Sequence, residues 1–313
     1  MKKSKTRKTA RKGRGPLSRK VIASAREQLQ RKVTILSDWR EGKLSSEEYQ
    51  NSIISDEKLS ELDPLHALYV YSQNHLSVLI EQILQLPMLR NLADRYAKSD
   101  DEYMPSGPPM SPLTTSYFTC WGAFDLCSFG AKKETLCTIA IDLCKSLNVD
   151  NGQIEVFEEM QNSRMGVYRH EGISGKYIYF RELITAKKIQ AISPSGYMGF
   201  EGEIWFARIF PPLFNSFNYS VVFTTPYILG KLGDNNSFVP FVENDWLSFF
   251  ERNLRETKIQ EIEASYDALM KYGLSYNYWN EYIFLSYRNH RNDMILLEGF
   301  PDIPSSMPHA ELA

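Results

Sequence analysis

An α+β fold is predicted, with a helical N-terminal half packed on an antiparallel β-sheet or small barrel and helices returning at the C-terminus. Three observations carry this reading. Apolar residues recur at helical spacing as far as Asn162, the period switches to two around Met165, and helical spacing returns near Asn244. With 313 residues and 43% hydrophobic content, the chain can bury a substantial core. It divides into a basic tail over residues 1–17, a helical region over 18–164 and a sheet with C-terminal helices over 165–313. No repeat at a fixed period is apparent.

The tail comes first. Lys2, Lys3, Lys5, Arg7, Lys8, Arg11, Lys12, Arg14, Arg19 and Lys20 make ten of the first twenty residues basic, and none of the twenty is acidic. The remaining chain has 26 Lys and Arg against 38 Asp and Glu, a formal −12. So dense a charge with few apolar side chains cannot offset its ordering entropy, so a tail that is disordered when free is expected.

From Ser18 to about Gly42, Val21, Ile22, Ala25, Leu29, Val33, Leu36 and Trp39 form one apolar face, with Ser18 placed as the cap. A second start is expected at Ser45 or Ser46, where Glu47 or Glu48 closes a capping box ahead of Tyr49, Ile53 and Ile54. The leucines, then Glu41-Gly42-Lys43-Leu44-Ser45, then Glu48-Tyr49 resemble the bihelical SHOCT module over residues 28–54. In that family the module is usually C-terminal, and the resemblance implies self-association or a protein partner through the helical region. A plain amphipathic hairpin fits the same residues.

Asp63-Pro64 should open a long helix running to about Leu86, because Pro64 suits the first turn and Leu68, Tyr69, Leu76, Leu79, Ile80 and Ile83 form a wide stripe. Pro87 breaks it. Pro105, Pro108, Pro109 and Pro112 mark a stiff loop, followed by helices over Pro112–Phe129, Lys132–Leu147 and about Gly152–Asn162. Strands are expected at Met165–Arg169, Lys176–Arg181, Lys187–Ile192, Glu203–Phe210 and Asn218–Thr225, with connections short enough for antiparallel pairing. Helices over Asn244–Met270 and Ser275–Arg288 and a strand at Met294–Leu297 complete the chain.

The side chains that carry chemistry are sparse in pattern. Cys120, Cys127, Cys137 and Cys144 are spaced by seven, ten and seven, unlike the close pairs of zinc sites, so they are read as free packing thiols and no metal is expected. None of His66, His75, His170, His290 and His309 stands at HExxH or HxH spacing. His170 sits in Arg169-His170-Glu171-Gly172, where a predicted strand runs into a turn, and is a candidate ligand or catalytic group; the alternative is a solvated turn histidine. Ser193-Pro194-Ser195-Gly196-Tyr197 lacks the first glycine of G-x-S-x-G and reads as a hairpin loop. No phosphate-cradling glycine motif occurs, and no cofactor is expected. Glu171, Glu182, Glu201 and Glu203 gather in the strand region, either as an acid–base set or as a solvated sheet face.

Aromatic content of 13% turns attention to recognition. In Lys176-Tyr177-Ile178-Tyr179-Phe180-Arg181 the alternation puts Tyr177, Tyr179 and Arg181 on one face, with Lys187 and Lys188 on the next strand. Aromatic and basic residues so arranged suit single-stranded nucleic acid, although a covered sheet face has the same pattern. Tyr276, Tyr278, Trp279, Tyr282, Phe284 and Tyr287 have helical spacing and are expected to pack on the sheet.

With no signal peptide and no apolar run of about 18 residues, a soluble, cytoplasmic protein is expected. Two functions compete. One is a non-catalytic binding or adaptor protein whose tail contacts an anionic partner, nucleic acid or an acidic protein. The other is a small hydrolase or nuclease with its site near His170, Glu171, Glu201 and Glu203.

Overall fold

The computed structural model of the chain describes residues 13–30, 54–104, 114–128, 133–232, 238–240, 243–272 and 296–299. The expectations for the tail before Gly13, for nearly all of the bihelical segment at 28–54, for the Pro-rich loop and for the helix at Ser275–Arg288 with its aromatics lie outside these residues.

The first helix, α1 (Pro16–Gln30), starts two residues before the predicted Ser18 cap. Its first amides are met from elsewhere. Buried Glu134 accepts from the Leu17 N–H at 3.0 Å and from the Ser18 N–H at 2.9 Å, and a Cβ on Gly15 would stand 2.0 Å from the Glu134 Cδ. Only glycine allows that approach. The helical region therefore begins at Pro16, with the root of the tail already seated.

The helical layer continues as α2 (Asp56–Ser60), α3 (Pro64–Leu84), a 3-10 turn at Pro87–Leu89, α4 (Arg90–Tyr103), α5 (Thr115–Phe124), α6 (Leu136–Ser146) and α7 (Asn151–Asn162). As predicted, Asp63 caps α3 by accepting from the Leu65 N–H at 3.1 Å, with Pro64 in the first turn. Helix α6 is the centre of the layer. It packs on α1, α3, α5 and α7, and it is apolar nearly all round, burying Leu136, Cys137, Ile139, Ala140, Ile141, Leu143 and Cys144.

At Met165 the chain turns to strands: β1 (Met165–Ser174), β2 (Tyr177–Glu182), β3 (Lys188–Ile192), β4 (Ile204–Phe210) and β5 (Ser220–Val222). They close into a barrel in the order β1-β2-β3-β5-β4-β1. Every pairing in the ring is antiparallel except β3 with β5, which is parallel through Ala191↔Ser220 and Ile192↔Val221. This corrects the all-antiparallel expectation. A ring of five strands cannot alternate direction all the way round, so closure forces one parallel pair. Consequently β3 and β4 are not partners, and Ser193–Tyr197 is a crossing loop rather than a hairpin.

Two strands had no counterpart in the sequence reading, β6 (Tyr227–Leu232) and β7 (Phe238–Pro240). β6 prolongs the edge begun by β5; between them the Thr224 Oγ1 accepts from the Arg208 N–H at 2.9 Å, standing in for a ladder carbonyl. The predicted helix at Asn244–Met270 is two helices, α8 (Glu243–Glu256) and α9 (Ile262–Tyr272), broken beside Lys258, whose φ is +60°. The late strand is β8 (Leu296–Gly299), paired with β6.

Alternation sorts the barrel side chains into two cores. Tyr168, Ile178, Phe180, Ala191, Trp205, Ala207, Ile209 and Val222 cluster on one side of the strands, in the barrel interior. Met165, Val167, Ile204, Phe206, Phe210 and Val221 face the other way and join the helical core. β4 is buried along its whole length as a result.

Candidate binding face on the barrel

The helical layer covers the outer face of β1 at Met165 and Val167 and of β3 at Ile192, and leaves the patch around Arg169, Tyr179, Arg181 and Lys188 partly open to solvent. On β2 the predicted alternation holds: Ile178 and Phe180 enter the interior, whereas Tyr177, Tyr179 and Arg181 lie on the outer face. Register then aligns cations across three strands, because Arg169 pairs with Arg181 and Arg181 pairs with Lys188. Directly opposed side chains on a sheet stand about 5 Å apart at Cβ, and like charges there repel. The row needs counter-charge.

Two carboxylates supply it. Between His170 and Gly172 β1 carries a β-bulge, with Gly172 at φ +121°, and the extra residue Glu171 accepts from the Arg181 Nε at 2.8 Å. Glu243, the first residue of α8, accepts from both terminal nitrogens of Arg181 at 3.0 Å each and from Arg169 at 2.8 Å. The Arg181 hydrogen bonds hold the Glu243 carboxyl below its ordinary range; partial burial opposes this and Arg169 reinforces it. Lys188 is exposed beside the network.

The three predicted face residues have different fates. Tyr179 is 39% exposed, so its ring is open to stacking. Tyr177 is half-buried with its ring 5.3 Å from that of Tyr219, and the Lys176 ammonium stands 5.4 and 5.2 Å from the two rings. Asp63 ties this corner down, accepting from Lys176 and from the Tyr219 hydroxyl at 2.7 Å each. Arg181 is held by its two carboxylates.

His170 is not in a turn. Strand β1 continues past it to Ser174, and its ring is fully buried on the interior side, near Phe180 and Trp205. Nδ1 accepts from the Gly172 N–H at 3.2 Å, which leaves Nε2 to donate to the Met198 carbonyl at 3.0 Å. Both ring nitrogens are thus used by backbone. Glu203 accepts from the Tyr197 hydroxyl at 2.9 Å and the Trp205 Nε1 at 2.8 Å, Glu201 is exposed, and Glu182 is buried against Arg164. His170 and Glu171 lie on opposite faces of the sheet, so the structure does not gather His170, Glu171, Glu201 and Glu203 into one constellation.

Sequence reasoning passed over the polar cluster between barrel and helices. Arg208 and Asp125 are both fully buried and ion-paired; Arg208 also donates to the Ser163 carbonyl and hydroxyl at 3.1 Å each. Lys271 reaches the same place from α9, donating to the Ser163 carbonyl at 3.0 Å and to the Gln161 carbonyl, with Asp125 Oδ1 at 3.8 Å. Burial pushes the Lys271 amine down to about 8, with Asp125 opposing. The four cysteines are free and buried, and burial pushes the Cys120 thiol up to about 12. Among the described residues no three His, Cys, Asp or Glu side chains converge as a metal site, and no helix is long and apolar enough to cross a membrane. Of the eight tail residues Lys2, Lys3, Lys5, Arg7, Lys8, Arg11, Lys12 and Arg14, only Arg14 lies within the described residues, where it is exposed.

Fold and face together define an α+β protein built on a five-stranded mixed barrel with an aromatic and cationic outer face. The chain matches no family model, no curated protein and no solved structure.

Proposed function

We propose that the chain is a non-catalytic binding or adaptor protein whose basic N-terminal tail holds an anionic partner, a single-stranded nucleic acid above all. The observation that carries this is the charge division: ten cations in the first twenty residues against a formal −12 for the rest. A body of that charge repels a polyanion, so the attraction is concentrated in the tail.

Two further features support the reading. The tail's root is fixed, because the Leu17 and Ser18 amides donate to Glu134, which lies close against Gly15. The ring β1-β2-β3-β5-β4 is also a five-stranded barrel of the OB type, in which the face of strands 2 and 3 commonly holds oligonucleotides or oligosaccharides. That is an analogy of fold, and here the corresponding face offers Tyr179, Lys188 and Gln190. Base stacking on an exposed tyrosine adds affinity with little sequence preference. A reducing, cytoplasmic setting suits the four free thiols.

The test is binding of labelled single-stranded RNA and DNA to the full chain and to a variant with Lys2, Lys3, Lys5, Arg7, Lys8, Arg11, Lys12 and Arg14 neutralised. The variant should bind at least about tenfold more weakly at low salt, since each lost phosphate contact removes a counterion-release term. Equal affinities, or no binding by either protein, would reject the reading.

A further inference from the structure

Arg169, Arg181 and Lys188 form a cationic row on the partly exposed outer patch of β1, β2 and β3, and the two arginines share one carboxylate that arrives from far along the chain. Glu243 belongs to neither strand. It is the first residue of α8, and both its oxygens face the Arg181 guanidinium in the two-pronged geometry by which arginine also takes phosphate. The strand pairings close the barrel without this contact, and Glu171 gives Arg181 one counter-charge from within β1, so Glu243 is the part of the counter-charge that comes from outside the sheet. The side chains of Arg169, Arg181 and Glu243 are 40, 24 and 20% exposed, so the cluster opens to solvent on the Arg169 side, where a polyanion can reach it.

We infer that Glu243 is an internal stand-in for a phosphate, a latch that occupies Arg169 and Arg181 until a phosphodiester backbone displaces it. The latch deepens the nucleic-acid reading proposed above and rests on it. In the closed state the tail makes the initial contact while the two arginines are engaged. Displacement of the carboxylate adds these arginines to the contact, next to the exposed Tyr179 ring and Lys188. The latch thus lowers affinity for short or sparse polyanions and lets a strand that engages both tail and barrel bind best.

The experiment uses the full chain and the near-isosteric variant Glu243→Gln, checked for an unchanged fold by its thermal transition, with Arg169→Gln/Glu243→Gln as the second variant. Labelled single-stranded oligonucleotide is titrated at several salt concentrations, and pyrophosphate is titrated separately while the arginine side-chain NMR signals are followed. Glu243→Gln should bind the oligonucleotide at least about threefold more tightly, because the strand no longer has to displace a carboxylate that takes up a counterion when freed, and its log–log salt slope should be the steeper of the two. The double variant should return toward wild-type affinity, and pyrophosphate should shift the Arg169 and Arg181 signals at lower concentration in Glu243→Gln than in wild type. If wild type and Glu243→Gln bind the oligonucleotide alike, with equal slopes, the latch is wrong although the tail reading stands. If neither binds, the tail reading falls and pyrophosphate decides: earlier shifts of both arginines in the variant keep the latch as an oxyanion gate, and unmoved signals overturn it.

Discussion

Asp125 faces two cations, Arg208 and Lys271, in a place closed to water between the helical layer and the barrel. Removing one partner of a buried ion pair leaves the other charge unmet and costs about 3–5 kcal/mol. Asp125→Ala should therefore lose at least about 3 kcal/mol in urea unfolding, and a loss under about 1 kcal/mol would contradict this role. Lys271 adds a pH dependence. Its folded value, lowered to about 8 by burial, lies below the 10.5 of a free lysine, so between these values the unfolded chain binds the extra proton. Stability from this group accordingly rises from pH 8 to 10.5 and is lost as pH falls back through about 8. Relative to Lys271→Met, the native chain should gain stability across that window; a constant difference would reject the assignment. Little of this cluster was legible beforehand, because Asp125, Ser163, Arg208 and Lys271 come from four elements and no local pattern links them. The alternation that put Tyr177, Tyr179 and Arg181 on one face was legible because it needs only the period of a strand. Which of the three stays open depended on Tyr219 and Glu243, which are remote in sequence. Likewise, the burial of His170 depends on a bulge and on the Met198 carbonyl.

At the scale of elements, the root of the tail is a junction of ordinary parts: a proline in the first turn of α1, a glycine that admits a neighbour, and a buried glutamate that takes the first amides. Deleting residues 1–12 spares all of these, so the thermal midpoint should stay within about a degree. Glu134→Ala removes the cap and should cost about 1–2 kcal/mol, a drop of a few degrees for a domain of this size. A large destabilisation by the deletion, or none by Glu134→Ala, would overturn this view of the junction. Helix α3 could be read closely from its cap and periodicity. The parallel β3–β5 pair could not, since it follows from ring closure rather than from any strand's sequence. β6 escaped because Tyr227-Ile228-Leu229 is a short apolar run without alternation; the preceding Pro226 and the following Gly230 were the available signals.

Across the whole molecule, two oppositely charged parts meet at α1. If, as proposed, the cationic segment contacts phosphates rather than base edges, its binding is electrostatic and indifferent to sequence. The acidic body carries on its barrel a small cationic face whose Arg169 and Arg181 are paired with Glu243. The most direct measurement is the salt dependence of single-stranded oligonucleotide affinity for the full chain and for the chain lacking residues 1–12. The full chain should show a steep linear fall of log affinity with log salt, about −0.7 for each phosphate neutralised, and deletion should flatten that slope by several such steps. A slope unchanged by the deletion, or an affinity that does not respond to salt, would contradict the tail as the polyanion-binding element.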